Sequence, residues 1–206
     1  MNLLGSKTIE TERLILKAPT MKEQKKLWEI LMIPEVNRYY LTINKKYREN
    51  LKNWEKQEKI YQEKANTALE KDKFEWSIFL KETGECIGQI NAHTSKKENY
   101  DKENDEVKSL GWFIAPKHQG NGYATEAANA MLDYLFNEVE ITEIRTSAAI
   151  CNPPSWRLME KLGLIRDLNK TYFNQYTFID EDIECYFYGV TKEEYLNFNK
   201  KNISKG

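Results

Sequence analysis

The chain has 206 residues, 40% of them aliphatic or aromatic, which suits one domain with a buried core. Its 31 basic and 32 acidic residues leave a net charge of −1, so no global positive field calls for nucleic acid. Three widely spaced cysteines (Cys86, Cys151, Cys185) with no Cys-x-x-Cys, and only two histidines (His93, His118), argue against a metal site and for reduced thiols in a cytoplasmic protein. Met1 to Lys7 has no apolar signal core, and no apolar run approaches the ~20 residues of a membrane span, so no membrane partner is expected.

In chain order, Glu12 to Lys17 reads as a first strand stopped by Pro19. Thr20-Met21-Lys22-Glu23 has the form of a capping box and opens a helix through Leu27, Trp28, Ile30 and Leu31 that Pro34 ends. Leu51, Trp54, Tyr61, Ala65, Ala68 and Leu69 make the apolar stripe of a second helix, Tyr47 to Glu70, with Lys and Glu on its solvated faces. Phe74 to Leu80 alternates as a strand, Glu82 to Glu85 turns, and Cys86 to His93 returns as the hairpin partner. Ser95 to Glu106 is nearly all polar and reads as a long mobile loop. Val107 to Ile114 is the next strand, ended by Ala115-Pro116.

Ala127, Ala128, Met131, Leu132, Leu135 and Phe136 give Thr125 to Asn137 a helical period. Glu143 to Ile150 is a further strand. Asn152-Pro153 places a favoured N-cap before a favoured first helical residue, and that helix ends near Gly163 with a left-handed cap. Strands over Lys170 to Ile179 and Ile183 to Val190 follow, then a second capping box at Thr191 to Glu194 and a short helix. Asn199 to Gly206 reads as a frayed tail, leaving a single domain over residues 8–198. Strands interleaved with helices, with hairpins in the middle, predict a mixed α/β sheet.

Between the strand Leu110 to Ile114 and the following helix lies Gln119-Gly120-Asn121-Gly122-Tyr123-Ala124. A strand, a glycine turn and a helix N-terminus form an anion site, because the first helical amides lack partners and the dipole is positive there. A phosphate-binding loop of the Walker A type would need Lys-Ser/Thr after its last glycine, but Tyr123-Ala124 follow. A dinucleotide fingerprint would need parallel βαβ units, but β-hairpin strands precede this turn. A third reading, which a family resemblance implies, is coenzyme A. Gln119-x-x-Gly122-x-Ala124 matches the pyrophosphate loop of the GNAT N-acetyltransferases. Glu10 to Leu16, Leu110 to Ile114, Gly122 to Ala127, Asn152-x-x-Ser155 and Met159 to Gly163 resemble, in family order, segments of the RimJ/RimL-type branch.

That resemblance implies an acyl-CoA N-acyltransferase fold, a central, mostly antiparallel twisted sheet flanked by helices, with acetyl-CoA as co-substrate. It implies diphosphate contacts from the backbone of Gly120, Asn121, Gly122, Tyr123 and Ala124, adjoined by Gln119. It also implies a bulged strand that parts from its neighbour, where Phe113 and Ile114 offer backbone hydrogen bonds to the pantetheine arm, and Gly111 is a sensible residue for the bulge. Core packing is the alternative for the Trp112 and Phe113 side chains. Asn152 is implied to touch the cofactor or to serve only as N-cap. Ser155 is implied as general acid for the leaving thiolate, or is an ordinary first-turn serine.

The implied reaction is direct attack of a neutral primary amine, from a protein N-terminus or a small molecule, on the thioester, with a backbone N–H stabilising the oxyanion. No cysteine need be a nucleophile. Some relatives place a glutamate at the position of Lys108, and others place a carboxylate where Thr171 to Phe178 offers only Tyr172 and Tyr176. Glu106 and His93 are the candidates left for the base. The weak base signal keeps open an alternative, an acyl-CoA-binding sensor without turnover. Both a monomer and a homodimer fit the resemblance.

Overall fold

The computed structural model describes residues 1–40, 54–94, 106–170, 172–176 and 182–203. The start of the second sequence helix, 47–53, and loop residues 95–105 lie outside them. Among the described residues the strands are β1 (Ile9–Glu10), β2 (Leu14–Lys17), β3 (Phe74–Leu80), β4 (Cys86–Thr94), β5 (Val107–Ile114), β6 (Glu143–Ala149), β7 (Ile165–Arg166), β8 (Tyr172–Gln175) and β9 (Asp182–Thr191). The helices are α1 (Met21–Leu31), α2 (Pro34–Asn37), α3 (Trp54–Ala68), α4 (Tyr123–Tyr134), α5 (Pro153–Lys161) and α6 (Lys192–Ile203). The strands form one sheet in the order β1-β2-β3-β4-β5-β6-β9-β7, with β8 also on β9.

Every neighbouring pair is antiparallel except β5 and β6, which are parallel. The period-2 alternation read from sequence sorts the sheet into two faces. Leu14, Leu16, Phe74, Trp76, Ile78, Ile90, Ala92, Leu110 and Ile114 pack with Ala127, Ala128, Met131 and Leu132 of α4 and Leu158 and Met159 of α5. On the other face Phe113 and Ala115 pack under Leu27, Ile30 and Leu31 of α1 and Val36 of α2.

Both capping boxes form. Glu23 Oε2 accepts from the Thr20 backbone N–H at 3.1 Å and from its hydroxyl. Glu194 Oε2 accepts from the Thr191 N–H at 2.8 Å. Pro34 does not simply end α1: it takes the first position of α2, where its missing N–H costs nothing. The first strand is split, with β1 and β2 a hairpin on either side of residues 11–13.

Two expectations are corrected. The bulge expected on β5 is absent: β4 and β5 keep register from Gly88↔Ile114 to Thr94↔Lys108. The irregularity lies one pair away, between Ile78 and Phe79 on β3. Gly111 instead makes room, because a Cβ there would sit 2.8 Å from Asn91 Oδ1. The frayed tail is also shorter than read, since α6 stays helical through Ile203. What anchors it is Gly163. That residue caps α5 at φ 82°, with its N–H donating to Glu160 O and the Leu164 N–H to Met159 O, both at 3.0 Å. The Phe198 ring of α6 lies 2.7 Å from where a Cβ on Gly163 would be.

Gly163→Ala should therefore cost roughly 2–4 kcal/mol, combining left-handed strain with a ring clash. Gly84→Ala, at φ 68° with open space around it, should cost about 1 kcal/mol. Urea denaturation midpoints of the two variants compare the effects directly.

Candidate active site

Residues Val107↔Glu143 and Lys108↔Ile144 are the only registered pairs between β5 and β6. Past Lys108 the strands part while each stays fully paired on its outer side, β5 to β4 and β6 to β9. The edge of β5 that faces the gap is set by ladder alternation. The Ala115 N–H donates to Ile87 O at 2.8 Å, so Phe113, two residues back, exchanges bonds with Gln89 of β4. The Phe113 carbonyl indeed lies 2.2 Å from the position of a Cβ on Gly88. The backbones of Leu110, Trp112 and Ile114 therefore face the gap, and that of Phe113 does not. Phe113 is a core residue, and Trp112 takes the place expected of it. The pairing with β4 sets this phase, and no pattern within β5 itself carries it.

Two of the gap-facing carbonyls are capped by the protein. Thr146, buried on β6, reaches Leu110 O at 3.4 Å, and the Gln119 side chain donates to Ile114 O at 2.9 Å. At the mouth of the gap, residues 116–118 make one tight turn and Gly120 and Gly122 follow at φ 78° and 80°. A Cβ on Gly120 would meet nothing within 4 Å, so the conformation, not crowding, demands glycine there. The first α4 bond is Glu126 N–H to Gly122 O, which leaves the amides of Tyr123, Ala124 and Thr125 without an intrahelical partner. Among the described residues no partner is found for the N–H groups of Gly120, Asn121 and Gly122. The Asn121 side chain points back, donating to His118 O and Gln119 O at 3.1 Å each.

Arg13, which sequence reasoning did not single out, clamps this turn. It donates to Asn121 O at 3.0 Å and to Glu126 Oε2 at 2.7 Å, and lies over the Tyr123 ring. Glu126 also accepts from the Thr11 hydroxyl at 2.6 Å and the Arg13 N–H at 2.8 Å. Burial alone would raise the Glu126 carboxyl, but these donors and the guanidinium hold it below its ordinary value. His118 reaches Glu85 Oε2 at 3.2 Å beside the turn.

Asn152 and Ser155 start α5, next to the end of β6. The expected cap by the Asn152 side chain is not made. Pro153 and Pro154 have no N–H, and the Ser155 N–H is taken by the Asn152 carbonyl at 3.1 Å. The Asn152 amide is thereby left for other use.

Glu106 sits just before the closed end of the gap, with its Oε1 3.2 Å from the Met1 amino group. Lys108 turns into the core face, where its ammonium donates to Thr94 Oγ1 at 3.1 Å. His93 lies on the opposite face, with Nδ1 3.4 Å from Asn91 Oδ1. The Tyr172 side chain lies outside the described residues, and Tyr176 is buried with its hydroxyl 3.5 Å from Cys185 Sγ. Burial pushes the Cys86 thiol up to about 11 and raises Cys185, which disfavours both as thiolate nucleophiles.

A sheet opened at its parallel pair, with a glycine turn and helix N-terminus at the mouth, defines the acyltransferase class. A family described as an acetyltransferase (GNAT) domain matches residues 13–165. The uncharacterized Bacillus subtilis protein YkkB is 32% identical over 176 residues, 81% of this chain and 94% of that one. A GNAT-family acetyltransferase structure from Bacillus anthracis superposes with a TM-score of 0.68 at 24% identity, over 91% of this chain and 99% of that one. The spermidine/spermine N-acetyltransferase SpeG of Vibrio cholerae shares the fold at TM-score 0.68 and 16% identity, over 92% and 99% of the two chains. The chain belongs to the GNAT acetyltransferase family and is an acyltransferase enzyme.

Because the Glu126 pKa is depressed when folded, its contribution is present above the ordinary value of 4.5 and lost as pH falls through the folded value. Glu126→Gln should lower stability at neutral pH by about 1 kcal/mol, allowing for solvent screening, and flatten the acid limb. Denaturation midpoints measured across that range check both.

Proposed function

We propose that the enzyme transfers an acetyl group from acetyl-CoA to a primary amine by direct attack in a ternary complex. The observation that carries this reading is the opened β5/β6 edge leading to the glycine turn. The unpartnered amides from Gly120 to Ala124 fit a diphosphate, with Arg13 adding positive charge beside it. The free backbone groups of Trp112 and the Ile114 N–H fit an amide-bearing arm laid along the gap as an extra strand. The unused Asn152 side chain and the Ser155 hydroxyl lie at the start of the helix that follows β6.

Bound there, acetyl-CoA would supply the activated thioester. The chain's own part is positioning and charge stabilisation. A gap-facing N–H of β5 stabilises the oxyanion, and Ser155 donates a proton to the departing sulfur. The acceptor enters from the face opposite α4, because α4 and the turn fill the other. His93 lies on that face. The amine class draws support from SpeG, which shares the fold. The resemblance of the motif set to the RimJ/RimL-type branch extends the reading to protein N-terminal amines. Cytoplasmic residence is part of the same reading, with Cys86, Cys151 and Cys185 as free thiols.

Calorimetric titration should show micromolar acetyl-CoA binding and none of NADH. Gly122→Val, at φ 80°, should weaken acetyl-CoA binding at least tenfold, a fall worth about 1.4 kcal/mol. Absence of acetyl-CoA binding to the folded protein, or unchanged affinity in the variant, would sink the reading.

A further inference from the structure

The face opposite α4 carries a polar row that the donor site does not use. Glu75 of β3, Asn91 of β4 and Gly111 of β5 are register neighbours across three strands. Gly111 is the low step of the row. A Cβ there would lie 2.8 Å from Asn91 Oδ1 and 3.3 Å from the Tyr40 hydroxyl, and Asn91 Nδ2 donates to that hydroxyl at 3.0 Å. Tyr40 packs edge-on against Phe113 of β5 at 5.0 Å, and Tyr39 packs edge-on against Tyr176, just past β8, at 5.9 Å, in a cluster with Ala149 at the end of β6. The two consecutive tyrosines thus reach the β5 side and the β6 side of the gap.

At the far end of the row stands Glu75, half-buried. Its Oε1 accepts from Gln24 Nε2 of α1 at 2.9 Å and from Gln89 Nε2 of β4 at 2.5 Å. Among the described residues, Oε2 accepts no hydrogen bond and is not sealed from solvent, since Ser77 Oγ is the buried side-chain atom without a partner. The two amides are neutral, so among the described residues the positive charge that opposes the carboxylate is the Lys64 ammonium of α3, whose attraction lowers the Glu75 carboxyl against the larger effect of burial. Tyr40, whose hydroxyl burial keeps protonated, faces it from the gap side. Two inter-strand steps place Glu75 roughly 10 Å from Gly111 along the sheet.

We infer that Glu75 is the specificity-determining anchor of the acceptor site and binds a second, non-reacting ammonium, so that the acceptor is a diamine- or polyamine-like cation. The inference rests on the β5/β6 gap being the donor site. It selects for a molecule with two cationic ends, one over Gly111 and one at Glu75, against an amine with a single charge. Burial raises the Glu75 carboxyl, and a docked ammonium offsets that cost.

The test is calorimetric titration of the CoA-saturated protein with 1,7-diaminoheptane, whose nitrogens in the extended chain lie about 10 Å apart, the two-strand spacing, and, separately, heptylamine, for the wild type and Glu75→Gln. The wild type should bind the diamine at least tenfold more tightly than heptylamine. Glu75→Gln should weaken the diamine roughly 10- to 100-fold, as for loss of a charged hydrogen bond, and leave CoA and heptylamine binding in place. Equal wild-type affinity for the two amines overturns the inference whether or not the variant folds. An equal loss for both amines in the variant, or no loss, overturns the role of Glu75. Failure of CoA itself to bind is read in its own titration and overturns the donor site instead.

Discussion

The site depends on β5 and β6 staying paired for only two residues. Each strand is held on its outer side by a long antiparallel ladder, so neither needs the other for stability. Opening a sheet would ordinarily strand a row of polar backbone groups, at a cost like that of lost hydrogen bonds. The protein limits that cost selectively. Thr146 covers Leu110 O at the base of the gap, and Gln119 covers Ile114 O at its mouth. The groups left between them, on Trp112 and the Ile114 N–H, form a short strand edge that a ligand can complete.

The mouth of the gap depends on a second constraint, the pair of left-handed glycines before α4. They turn consecutive amides toward one point, and Arg13 holds that geometry from the start of β2 through Asn121 O and Glu126. One carboxylate therefore ties the edge strand, the turn and the first turn of α4 together. The core beneath is tightly closed, with Ala127, Ala128, Met131 and Leu132 fully buried against the sheet.

Local patterns read well wherever a short-range rule decides the outcome. The capping boxes at Thr20 and Thr191, the alternation of β3, the bounds of β5 and the left-handed cap at Gly163 all follow from neighbours within a few residues. The misreadings share a different cause. Phe113 was placed on the gap although its backbone bonds β4, because the phase of a ladder is set by a partner strand. Asn152 is an exception, because Pro154, two residues on, already removes one donor that a side-chain cap would use. The tail reads as frayed because Phe198 is held by a glycine distant in sequence.

The sequence by itself determined the elements, their order, the glycine turn and the family they resemble, because periodicity, caps and turn chemistry act over a few residues. Only the tertiary structure decided where the sheet opens, which backbone groups face the opening, and which charges meet there. Those depend on which strands become neighbours. The joining of Arg13 to Glu126 and of Gln24 and Gln89 to Glu75 spans 113, 51 and 14 residues of chain, separations at which no local pattern carries a signal.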